Sequence, residues 1–153
     1  MTAIADRLAE LGITIPTLPA PAGAYVPYAV TGNLVFTAGQ LPFTDGVLPA
    51  TGKVGAEVTA DDAKDYARTA ALNALAAVEA AIGSLDRVTR VVKLVGFVAS
   101  DPSFSGQPGV INGASDVLGE IFGEAGRHAR SAVGVAVLPL DSPVELELIV
   151  EFA

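Results

Sequence analysis

The stretch "GRHARSAVGVAVLP" (126–139) leads through the turn "PLDSP" (139–143) into "VELELIVEF" (144–152), and these two runs decide the fold. The second run alternates: Leu146, Leu148 and Val150 fall on one side, Glu145, Glu147 and Glu151 on the other. That is the pattern of a strand with one buried face. In the first run, 131–138 is apolar on both faces, and Gly134 lets another backbone approach. It reads as a central strand, covered by helices on one side and by a second sheet on the other. If that second sheet belongs to another copy, the protein is an obligate oligomer. Arg127 and Arg130 stand at the mouth of this strand. A guanidinium is costly to bury unless an anion meets it, so these residues call for a carboxylate, a subunit or a substrate.

Working outward, the chain reads as helix, β-hairpin, helix, strand, helix, two strands. Ile4, Leu8 and Leu11, stopped by Gly12, mark a short helix over 3–11. Pro16, Pro19 and Pro21 impose an extended connector. "YVPYAV" and "LVFTAG" flank "TGN" (31–33) as a hairpin. Residues 41–56, with two prolines and several glycines, read as a long loop. Thr59 with Asp62 opens the clearest helix, whose apolar face is 67, 71, 74, 75, 78 and 82 and whose stop is Gly83. "RVVKLVGFVA" (90–99) is a strand, 102–109 a second loop, and 110–123 a helix with Val117, Leu118, Ile121 and Phe122 inward. The fold class is therefore α+β: a single domain over 1–153 with a mixed sheet and its helices packed on one face.

Composition narrows the chemistry. With 153 residues a core forms without staples, and the absence of cysteine removes thiolate nucleophiles, thiolate metal sites and disulfides. A single histidine, His128, argues against a zinc or di-metal centre. Nine Lys and Arg against seventeen Asp and Glu, a net charge of −8, disfavour a nucleic-acid groove. The N-terminus has no basic, then continuously apolar, leader, and the Ala-rich segment 67–82 is broken by Arg68, Asn73 and Glu79. A cytoplasmic protein without a membrane segment is the expectation. "NGASD" and "TGKVG" match neither a phosphate loop nor a dinucleotide fingerprint, so no cofactor is expected. A chain 51% hydrophobic and 17% charged is apolar for a lone small domain and suggests surface covered by other copies.

Among candidate residues, Arg130 comes first, because its planar fork meets both oxygens of a carboxylate. Its alternative reading is an internal ion pair with Glu145 or Glu147. Most of the β-strand glutamates read as a solvated face, although one beside a substrate would hold water or shuttle a proton. Tyr25 is either a packing aromatic or a hydroxyl aimed at a site. Asn112 reads as a helix cap, and His128, with no visible partner, as structural.

Three stretches together resemble the RidA/YjgF family of imine/enamine deaminases: "GNLVFTAGQLP" (32–42), "ARSAVGVAVLP" (129–139) and "VELELIVEF" (144–152). The resemblance implies a chorismate-mutase-like domain, assembled as a homotrimer around a central barrel of sheets with clefts between subunits. It implies hydrolysis of 2-imino or enamine acids to 2-keto acids and ammonia, without metal or cofactor. By the same resemblance Arg130 holds the substrate carboxylate and Glu145 orients water. Tyr25, Gly39 and Asn112 bind substrate, and Ala132 contributes backbone only. Ala132 stands where many members carry cysteine, "GEAGRHAR" replaces a shorter approach to the arginine, and "DPSFSGQPGVINGAS" is a longer loop. These departures keep open a non-catalytic trimer that binds small carboxylates or serves in stress. An endoribonuclease fits the acidic charge and lone histidine less well.

Overall fold

The computed structural model describes residues 3–20 and 23–153; Pro21 of the expected connector lies outside them. Helix α1 (Ile4–Leu11) ends at Gly12, whose φ of 67° is the left-handed cap conformation. Strands β1 (Tyr28–Thr31) and β2 (Leu34–Thr37) form the expected hairpin, turned by Gly32 and Asn33. Helix α2 (Ala60–Ile82) starts where the Thr59 hydroxyl accepts the Asp62 N–H at 3.1 Å. Strand β3 (Val88–Ala99) precedes α3 (Gln107–Phe122), then β4 (Ala129–Val135) and β5 (Val144–Phe152). The sheet order is β1-β2-β5-β3-β4, with only the β3–β4 pair parallel.

Helices α2 and α3 cover one face. The β-residues beneath them, Val35, Val91, Leu94, Val98, Leu146, Leu148 and Val150, are fully buried or nearly so. All six apolar positions expected on α2 are buried, but so are Ala63, Ala70 and Ala77. The extra alanines mark a second stripe. Where the buried residues are alanine no side chain extends past Cβ, so α2 lies close to both the sheet and α3. At Gly113 the approach is close enough that a Cβ would stand 1.9 Å from the Lys64 carbonyl oxygen.

Two expectations need correction. Strand β4 is an edge strand, not a central one, and it ends at Val135 rather than Leu138. Its run is apolar on both faces, but one side of its backbone pairs with no strand among the described residues, and Val133 and Val137 are exposed. Helix α3 also begins three residues before the expected start, since Pro108 occupies its first turn, where a missing N–H costs nothing. Asn112 is consequently a mid-helix residue and not a cap.

Replacing Gly113 by Ala should lower stability by about 1–3 kcal/mol, because the backbone opposite cannot yield as a side chain would. The check is a lower urea midpoint at unchanged slope.

Candidate functional site

Alternation along the strands sorts the candidate residues into two groups. In the β3–β4 register Arg130 is opposite Leu94, and in the β3–β5 register Leu94 is opposite Leu148. Both leucines face the helices, so Arg130 does too. Glu145 is opposite Phe97, which is opposite Val133. These three face away from the helices.

The arginine group lies between β4 and α3. Arg130 donates from Nη1 to the Ser115 hydroxyl at 3.1 Å and from Nη2 to the Pro108 carbonyl at 3.2 Å. No carboxylate lies within ion-pair distance of it among the described residues, so the internal pair with Glu145 or Glu147 is not formed. The other guanidinium N–H groups remain available at an open cleft of ≈ 330 Å³, which Asn112, Ser115 and His128 also line. Ala132, next on this side of β4, packs against the core. Arg127 also lines this cleft, and its guanidinium makes a solvent-exposed pairing with Glu124 at 3.6 Å.

The glutamate group lies on the opposite face and toward the other edge. Gln40 and Leu146 exchange backbone hydrogen bonds of 2.7 and 3.0 Å, which fasten the segment after β2 onto β5. This brings Gly39 against Glu145. A Cβ on Gly39 would stand 3.0 Å from the Glu145 carboxyl carbon, so glycine is the residue that leaves the carboxylate undisturbed. Burial, and then the nearby Glu147 charge, push the Glu145 carboxyl above the ordinary glutamate range. The Ala38 N–H bonds to the Pro27 carbonyl, so the segment carrying Tyr25 runs beside Ala38 and Gly39. The Tyr25 ring itself is 57% exposed.

The chain thus gathers Arg130, Asn112 and Ala132 in one place and Glu145, Gly39 and the Tyr25 segment in another, with β3 between them. Sequence reasoning missed Ser115 and the true setting of His128. The Ser115 hydroxyl and His128 Nε2 are 2.9 Å apart, and His128 Nδ1 lies 2.7 Å from the Gly126 carbonyl. The signal was present in the spacing. Ser115 is three residues after Asn112 on a helix, and His128 is two before Arg130 on an extended segment, so each shares its partner's face. Among the described residues no group of three or more His, Asp or Glu could hold a metal ion. No described helix is long and apolar enough to cross a membrane.

Residues 5–152 match the family model described as "YjgF/chorismate_mutase-like, putative endoribonuclease". The chain belongs to the YjgF/chorismate-mutase-like family. Within it, the chain is 48% identical over 149 residues to protein TCP17 of Trypanosoma cruzi, covering 97% of this chain and 93% of that one. It is 34% identical over 138 residues to a 2-iminobutanoate/2-iminopropanoate deaminase of Dermatophagoides farinae, covering 90% and 93%. The crystal structure of Atu1372 from Agrobacterium tumefaciens, a protein of unknown function, superposes with a TM-score of 0.91 at 47% identity, covering 98% of this chain and 92% of that one. The YjgF membership accounts for the mixed sheet under two helices.

The raised Glu145 pKa has a sign that can be checked. The folded chain holds this proton more tightly than the unfolded chain does. The resulting stability is present below the unfolded glutamate pKa and is lost as pH rises through the folded value. Glu145→Gln should therefore melt above the wild type at pH 7. The two curves should converge below the ordinary glutamate range, as followed by thermal denaturation against pH.

Proposed function

We propose that this YjgF-family protein hydrolyses 2-imino acids and their enamine tautomers to 2-keto acids and ammonia. The observation that carries the reading is a guanidinium, Arg130, directed into an open cleft with no carboxylate of its own. The kinship with an iminobutanoate deaminase supplies the substrate class. Arg130 grips the substrate carboxylate through its free N–H groups, which fixes the adjacent imine carbon. Glu145 holds a water molecule against that carbon. The water oxygen bonds to the carbon of the protonated imine as the carbon–nitrogen π pair moves onto nitrogen, and Glu145 takes a water proton. Glu145 passes that proton to the amine nitrogen; the carbon–nitrogen bond then breaks to release ammonia as the adduct's hydroxyl gives its proton to Glu145 and the carbonyl forms. Positioning provides most of the acceleration, since the carbon is already electrophilic. Asn112, Tyr25, Gly39 and the Ala132 backbone bound the substrate.

Arg130 and Glu145 lie on opposite faces of one chain, so the reaction needs the arginine group of one copy beside the glutamate group of the next. A homotrimer with three shared clefts meets that need. The apolar residues left exposed on the open face and at the β4 edge, Phe36, Val133 and Val137, favour such an assembly.

The test couples an amino-acid oxidase, as imine source, to measurement of keto acid and ammonia. The wild type should exceed buffer, with a rate that rises with pH through the elevated Glu145 pKa. Arg130→Ala and Glu145→Gln should each lose about 10²-fold. Co-expressing the two variants in equal amounts should restore about a quarter of wild-type activity, because one cleft type then has both groups intact. No turnover by the wild type would leave a binding protein for small carboxylates. No recovery on co-expression would place both groups in one copy's site.

A further inference from the structure

The arginine half of the cleft contains a relay that the reaction above does not use. Four groups are joined in series: the Gly126 carbonyl, the His128 ring, the Ser115 hydroxyl and the Arg130 guanidinium. The two ends have only one polarity each. A carbonyl oxygen can only accept, and a guanidinium can only donate. The Gly126 carbonyl therefore requires the hydrogen on His128 Nδ1. In a neutral ring this leaves Nε2 as an acceptor, and the Ser115 hydroxyl donates to it. The hydroxyl's lone pairs then point toward Arg130 Nη1, which donates at 3.1 Å. With the ring neutral, every link has one direction.

The fold also fixes the first link. Gly126 is buried against α3, where a Cβ would stand 2.3 Å from the Leu118 carbonyl oxygen. Its own carbonyl is thus anchored by packing, and so is the ring bonded to it. Ser115 is held by α3 and Arg130 by β4, so the relay ties the helix to the sheet edge beside the cleft.

We propose that His128 and Ser115 are positioning residues that pre-orient Arg130 for a substrate carboxylate. Ser115 touches the guanidinium and His128 touches Ser115; of this relay the substrate meets only the guanidinium's free edge. A preordered fork loses less freedom on binding than a mobile one, so the relay tightens carboxylate affinity without adding a contact. The consequence for affinity rests on the carboxylate-binding role proposed above for Arg130; the ordering of the side chain does not.

Two measurements separate these. In the unliganded full-length protein, nitrogen-15 NMR of the chain's one imidazole should show the Nδ1–H tautomer. The Arg130 Nε–H signal should show a rigid side chain. Ser115→Ala and His128→Leu should make that signal mobile, whereas Ser115→Thr and His128→Gln, which keep a hydroxyl and an acceptor, should recover most of the order. Calorimetry with 2-oxobutanoate should follow the same ranking, with a loss of about 3–10-fold in the first pair. An Nε2–H tautomer, or Arg130 order that ignores Ser115 and His128, would overturn the relay. If order follows the ranking while 2-oxobutanoate binds neither the wild type nor Arg130→Lys, the relay stands and the carboxylate reading falls. A histidine that merely filled space would lower the melting temperature of all His128 variants without distinguishing Gln from Leu in Arg130 order, and that result also overturns the proposal.

Discussion

The parallel pairing of β4 with β3 is the constraint from which the rest of the site follows. A parallel neighbour requires a crossover, and the crossover here is α3, which must lie over the face it joins. Arg130, Ala132 and Gly134 are thereby placed beneath α3, while Ser131, Val133 and Val135 point the other way. The helix brings Asn112 and Ser115 down beside the arginine, and the return into β4 brings His128. The same crossover leaves β4 with one unpaired edge, because no further strand follows in that direction.

Packing around this unit uses small side chains rather than large ones. Alanine stripes on α2 and Gly113 on α3 let two helices and a sheet approach closely, so small movements of one element reach the others. Lateral ion pairs between α2 and α3, Lys64–Asp116 at 3.6 Å and Arg68–Glu120 at 3.1 Å, lie near the surface and contribute little beside that contact. Helix α1 adds a brace: Arg7 Nε donates to the Glu120 carbonyl at 2.9 Å, near the C-terminal end of α3. Asn112 and Ser115 therefore sit on a helix fixed along its length.

What the sequence made legible follows the reach of each signal. Strand β5 is read correctly over 144–152 because alternation needs no knowledge of neighbours. The buried face of α2 is equally local. The pairing of β4 is not local: an apolar run states that a strand avoids water, not whether its second edge is filled by its own chain. Pro108 and Gly109 suggested a loop because composition outweighed position, although proline at a helix start is favourable. That misreading moved Asn112 to a cap. Arg130 and Glu145 were both singled out, yet their separation onto two faces emerges only once β3 is known to lie between them. Ser115 was overlooked because its partner, His128, lies in a different element and meets it only after the crossover closes.

The open edge of β4 has a further implication, for the life of the newly made chain. A strand edge left unpaired beside exposed valines is a template for any extended polypeptide, and a single copy offers it to whatever arrives first. Covering it with another copy is a bimolecular event and slows as the protein is diluted, whereas misdirected pairing in a crowded cell does not. Synthesis rate and crowding thus bear on what this open edge meets first.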